Sequence, residues 1–99
     1  MARLVWTRRA LEHLREVRAY VARDSPRAAA ALTTRIARAT RRLEQFPLSG
    51  RVVPEEQDST FRELLVLNYR IIYQVRSRDV VEILMVWHGM RRLPRLHDA

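Results

Sequence analysis

Apolar side chains recur with two different periods along the chain, and the change from one to the other divides it. In the first half Ala10, Leu14, Val17 and Val21 are spaced by four, three and four residues, while Arg8, Glu12, Arg15 and Arg23 fall elsewhere on the wheel. This spacing predicts an amphipathic helix from about Thr7 to Arg23, with Thr7 as N-cap. The apolar-leaning stretch from Arg3 to Trp6 predicts a short strand before it. Asp24-Ser25-Pro26 joins a turn former, an N-cap and a proline suited to a first helical position, so a second helix follows as a hairpin. Ala29, Leu32, Ile36, Ala39, Leu43 and Phe46 carry that helix to about Phe46, in steps of three and four.

Pro47-Leu48-Ser49-Gly50 ends the helical period, and the stretch through Pro54, Glu55, Glu56, Gln57 and Asp58 reads as loop. From Phe61 the pattern becomes β, in runs from Phe61 to Leu67, Tyr69 to Arg76 and Val80 to Trp87. The short spacers Asn68 and Ser77-Arg78-Asp79 predict two hairpins. Alternation puts Tyr69, Ile71, Tyr73 and Val75 on one face of the middle strand and Arg70, Ile72, Gln74 and Arg76 on the other. The last run sets Val81, Ile83, Met85 and Trp87 against Val80, Leu84 and Val86. Being apolar on both sides, it is expected to be central or covered on both faces. The tail from His88 to Ala99 is basic and without clear period. The expected fold is α+β: an N-terminal strand and an antiparallel helix hairpin packed on a three-stranded antiparallel meander. Residues 1–99 are read as a single domain, with no internal repeat.

Composition changes the picture mainly through charge. Nineteen basic residues against eleven acidic ones give a formal charge of +8 and a pI near 11.4, which points to an anionic macromolecular partner. Every basic residue other than histidine is arginine, so no lysine can act as a base or Schiff-base former. The chain has no cysteine, which removes thiol chemistry and fits a reducing, cytoplasmic setting. Neither a targeting segment nor a membrane span is expected.

The candidate chemistry is sparse. The two glycines, Gly50 and Gly89, form no phosphate loop, and no serine sits at a strand-to-helix elbow. His13, His88 and His97 lack metal-ligand spacing, so neither metal nor cofactor is expected. The arginines fall into two groups. Arg35, Arg38, Arg41 and Arg42 make a ridge on the second helix, read as solvated or facing a partner. Arg62, Arg70, Arg91 and Arg92 lie on the β half, where convergence on one sheet face would bind a target or a nucleic acid. Such guanidinium groups can stabilise the charge that develops in RNA cleavage, with His97 or His88 as proton donor. The structural alternative stays open: Arg62 pairs with Glu63, and Arg70 meets a loop carboxylate.

Several strings, in order, resemble the RelE/ParE superfamily of toxins from bacterial type II toxin-antitoxin systems. They are Val5-Trp6-Thr7, Asp24-Ser25-Pro26, Phe46-Pro47-Leu48-Ser49-Gly50-Arg51 and Val53-Pro54-Glu55. They continue with Arg62-Glu63-Leu64, Tyr69-Arg70-Ile71-Ile72-Tyr73-Gln74-Val75 and Val86-Trp87-His88-Gly89-Met90-Arg91-Arg92. The resemblance implies a toxin, associated with plasmid stabilization, that a cognate antitoxin neutralises. A homodimer or a toxin–antitoxin heterotetramer is among the assemblies it implies. The helix hairpin, the Ser-Gly-Arg break and the Arg-Glu-Leu string look closer to the ParE branch, which implies inhibition of DNA gyrase and no enzyme activity. The alternative is a RelE-like endoribonuclease, an mRNA interferase acting at the ribosome, with Arg70, Arg91 and His97 catalytic and a base from Glu55, Glu56, Glu63 or a histidine. A third possibility is a non-toxic co-repressor that only binds antitoxin.

Overall fold

A computed structural model describes residues 1–97. The order is β1 (Arg3–Trp6), α1 (Arg8–Ala22), α2 (Pro26–Arg41), a 3₁₀ turn (Arg42–Glu44), β2 (Arg51–Val52), β3 (Phe61–Val66), β4 (Tyr69–Ser77) and β5 (Val80–His88). The expected α+β plan is present. The sheet is larger than the expected meander, with five strands in the order β1-β5-β4-β3-β2. β1 adds to β5 in parallel, Arg3 opposite Val80 and Trp6 opposite Ile83, and β2 adds to β3 in antiparallel. Neither addition has a local turn to announce it, since β1 is four residues long, β2 is two, and both find distant partners.

Local sequence sets both helix starts. The Thr7 side chain accepts a hydrogen bond from Ala10 N–H at 3.0 Å, and Ser25 does the same for Ala28 at 3.1 Å with Pro26 behind it. The second helix stops earlier than the apolar stripe suggests. Pro47 disfavours helical backbone at Phe46, so the last turn tightens to 3₁₀ geometry. Leu43 still reaches the core, but Phe46 is exposed, against the expectation that it extends the buried stripe. The ridge Arg35, Arg38, Arg41 and Arg42 is exposed throughout.

The sheet has two buried faces. On the helix side Ala10, Leu32, Ile36 and Leu43 pack against Ile71, Tyr73, Val81 and Ile83. On the other side Val53 and Leu96 close over Phe61, Ile72, Leu84 and Met85. Each fully buried aliphatic side chain there contributes about 1.5–3 kcal/mol. The tail is therefore a packed element, anchored through Leu96; its last two positions, Asp98 and Ala99, lie outside the described residues. β4 alternates as expected, and β5 is central between β1 and β4. The alternation expected for β5 breaks midway. Ile72 pairs with Met85 and Tyr73 with Ile83, leaving Leu84 as a bulge. That extra residue reverses the phase, so Val86 joins the helix-side core while Met85 and Trp87 turn to the tail side.

Candidate functional site

The break after α2 is pinned by two side chains from the sheet. Tyr73 donates its hydroxyl to the Pro47 carbonyl at 2.9 Å and accepts from Gly50 N–H at 3.0 Å. Burial pushes the Tyr73 hydroxyl above its ordinary pKa, which keeps it a donor. Arg62, opposite Tyr73 on the helix-facing side of β3, donates to the Gly50 carbonyl at 2.9 Å and to that of Leu48 at 3.3 Å. Gly50 fits here because it has no side chain: a Cβ would stand 2.5 Å from the Glu63 carbonyl and 2.6 Å from the Tyr73 hydroxyl.

The opposite sheet face holds a chain of alternating charges. Arg70, buried on β4, donates from Nε to Glu63 at 2.6 Å, and from both terminal nitrogens to Glu55 at 2.7 Å. The Glu63 side chain is fully enclosed, and its second oxygen accepts from Arg51 Nε at 2.6 Å. The bidentate Arg70 fork holds Glu55 ionised below the usual carboxylate range, and the two carboxylates hold Arg70 firmly protonated. This chain ties β2, β3, β4 and the loop around Glu55 together.

The arginines named on the β half do not converge. Arg62 is on the helix side with the Gly50 break, Arg70 is enclosed on the other face, and Arg92 is exposed. The Arg91 guanidinium lies 4.3 Å from the Trp87 ring centre. His97 sits edge-on to Phe61 and 3.2 Å from Glu56. Glu63 pairs with Arg51 and Arg70 rather than with Arg62. Among the described residues no group of three or more histidines or carboxylates is placed to hold a metal ion.

A groove of about 850 Å³ opens between the helix hairpin and the β3–β4 end of the sheet. Val17, Val21 and Leu32 give it an apolar wall and Tyr69 and Val86 a floor, while Glu16 and Arg91 contribute one charge of each sign. α1 crosses the edge of β5 just past β1, where His13 Nδ1 accepts from Val86 N–H at 3.4 Å. The His13 ring also lies 5.6 Å from that of Trp87. Burial, then the nearby Arg9, lowers the His13 pKa and favours the neutral ring. Trp87 Nε1–H is buried with no acceptor in reach among the described residues, an orphan donor bordering the groove. Sequence periodicity had marked Val17 and Val21 only as core positions. Their partial burial is the sign of a helix face wider than the sheet that covers it.

This combination defines a small α+β domain with a largely apolar groove beside a two-faced sheet. Residues 4–93 match the family described as the ParE toxin of the type II toxin-antitoxin system parDE. The chain is 44% identical over 96 residues to Y4kP of Sinorhizobium fredii, covering 95% of each protein. It is 34% identical over 91 residues to Toxin RelE2 of Caulobacter vibrioides, covering 92% of this chain and 99% of that one. A solved structure titled as the chromosomal ParDE TA system from P. aeruginosa shares the fold. Its TM-score is 0.72 at 23% identity, over 89% of this chain and 96% of that one. The chain belongs to the ParE toxin family of type II toxin-antitoxin systems. Membership implies an antitoxin partner, and among the described residues no helix is long and apolar enough to cross a membrane.

Proposed function

We propose that this chain is a toxin that inhibits DNA gyrase, and that a cognate antitoxin neutralises it by filling the groove beside Trp87. The observation that carries the choice of target is the enclosure of Arg70 by Glu63 and Glu55. Both carboxylates already accept from guanidinium groups, and Glu55 is held below its usual pKa, which makes it a poor general base. The three residues of a nuclease site are committed elsewhere: Arg70 to these carboxylates, Arg91 to Trp87, His97 to Glu56. An inhibitor that acts by binding needs no such base. The antitoxin segment that suits the groove is apolar along one side and places a carboxylate at Arg91. The chain's +8 charge speeds association with an acidic partner.

A second reading, a RelE-like ribosome-dependent endoribonuclease, draws on one local feature. Consecutive residues Glu55 and Glu56 bring Arg70 and His97 to neighbouring carboxylates. Expression of the chain without antitoxin separates the two. Gyrase inhibition gives gyrase-dependent DNA breaks, a DNA-damage response and loss of supercoiling by purified gyrase. Cleavage of ribosome-bound mRNA with intact DNA overturns the gyrase reading, and unimpaired growth supports the co-repressor instead.

A further inference from the structure

The β3–β4 turn carries a residue that its backbone does not favour. Leu67 has φ 52°, the left-handed region, and is the one residue other than glycine with positive φ among those described. A Cβ is disfavoured there, and glycine or asparagine is the usual occupant. Asparagine is in fact present, one residue later, as Asn68. Burial does not offset the cost, because Leu67 is 61% exposed. Strained positions that packing does not explain concentrate where a protein makes contact with something else.

Leu67 is not alone. Leu65, 59% exposed, and Met90, 87% exposed, line the same shallow recess of about 260 Å³, together with Gly89 and Arg70. The β5 end is tied to the turn by Gly89 N–H donating to the Asn68 carbonyl at 2.8 Å, so the three apolar side chains stand on a braced platform. Exposed Arg91 and Arg92 follow Met90 directly and supply the positive charge beside the recess, since Arg70 is already neutralised by Glu55 and Glu63. An apolar centre with a cationic rim is the anatomy of a protein-binding hot spot whose partner carries carboxylates around an apolar recess.

We propose that Leu65, Leu67 and Met90 form the surface with which this toxin grips its protein target, an acidic-rimmed apolar site. The inference rests on the toxin reading only in requiring a protein target. It also links neutralisation to toxicity: Leu67, Asn68 and Tyr69 line both this recess and the antitoxin groove. An antitoxin in the groove therefore lies against the flank of the gripping surface, and the two partners exclude one another. Leu65 and Met90 line the recess and not the groove, which makes them the residues that separate the two partners.

The test uses the full chain with Leu65→Thr plus Met90→Gln, and separately with Leu67→Asn. Growth arrest on expression, affinity for purified antitoxin, sedimentation and thermal unfolding are measured for each, alongside inhibition of purified gyrase. The double variant is expected to need at least about tenfold more toxin for the same arrest, as when central hot-spot side chains are lost, with antitoxin affinity unchanged. Leu67→Asn is expected to unfold at a higher temperature than the parent while being less toxic, a pairing that a structural role for Leu67 does not produce. Undiminished arrest by the double variant overturns the proposal, as does a parent chain that arrests nothing. Loss of antitoxin binding in the double variant assigns the surface to antitoxin, and a parent dimer that the variant abolishes assigns it to a second copy; each overturns it. Arrest weakened in the variants without any gyrase inhibition by the parent supports this surface and removes gyrase as the target.

Discussion

At the break after α2, Gly50 has an unstrained backbone but no room for a side chain. At the β3–β4 turn, Leu67 has open space around its side chain but a backbone that favours having none. The first turn lies where a tyrosine, an arginine and the neighbouring charge chain all meet; the second borders an open groove. The difference teaches how this small domain divides its residues. One end is over-determined by internal contacts, so a residue there is chosen by what surrounds it. The other end leaves apolar surface exposed, and it is the partner surface proposed above that accounts for its residues.

The largest effect is expected from breaking the charge chain at the closed end. Arg70→Ala leaves the fully enclosed Glu63 carboxylate with Arg51 alone, and Arg51 is largely exposed. Removing one member of a buried pair costs about 3–5 kcal/mol. Denaturant unfolding of the variant is expected to show a loss of that size. Glu55→Ala, removing the half-exposed partner, is expected to cost markedly less. Equal losses would mean that Arg70 is held by Glu55 rather than by Glu63. The consequence reaches function: lost toxicity in Arg70→Ala reports a destabilised sheet unless its unfolding is measured beside it.

Next in size is Gly50→Ala. The new Cβ would overlap a backbone carbonyl that cannot swing aside and a hydroxyl held by two hydrogen bonds. Overpacking of this kind costs about 1–3 kcal/mol. Leu67→Gly at the other turn is expected to be neutral or to stabilise by up to about 1 kcal/mol, as relief of left-handed strain outweighs glycine's added chain entropy. Thermal unfolding checks both. The same pair of signs would break the comparison if reversed, since Leu67 would then be making an internal contact worth more than its strain.

How much was legible in the sequence follows the same division. Elements with a strong local period, α1, β3, β4 and most of α2, were readable because their signals lie within one turn or one hairpin. β1 and β2 entered the sheet through partners some eighty and ten residues away, which no local pattern encodes. The β5 bulge at Leu84 was hidden because a strand apolar on both faces has no alternation to break. The arginines were visible as residue types, but whether Arg62 and Arg70 share a face depends on the pleat of two strands read together. The phase placed Arg62 with Tyr73 and Arg70 with Leu65, on opposite faces. The loop carboxylate partner of Arg70 was foreseen as a type; that it would be Glu55, with Glu63 beneath, needed the folded chain.

The smallest expected effect concerns the open end and depends on pH. His13 accepts from Val86 N–H through Nδ1, which requires a neutral ring there, and burial with Arg9 nearby lowers its pKa below the ordinary 6.5. The unfolded chain, with its histidine near that ordinary value, therefore binds a proton before the folded chain does. The stability His13 contributes is fully present above about pH 6.5 and is lost as pH falls through the lowered folded value. Carboxylates held low, Glu55 by Arg70 and Asp58 by Thr60, lose their contribution only at more acidic pH, below their ordinary values of 4.5 and 3.8. The fall in unfolding temperature between pH 7.5 and 5.5 is thus expected to be smaller in His13→Leu than in the parent, with the other histidines common to both chains. Protonation also turns an acceptor into a donor facing Val86 N–H and adds a cation near Arg9 and Arg91, which Glu16 and Glu12 only partly offset, so the groove wall is expected to loosen with the fold. Antitoxin affinity measured across the same interval is expected to fall in the parent and to stay flatter in the variant. An equal slope in both chains would move the pH sensitivity away from α1 and leave the groove wall as rigid as the break that Tyr73 pins.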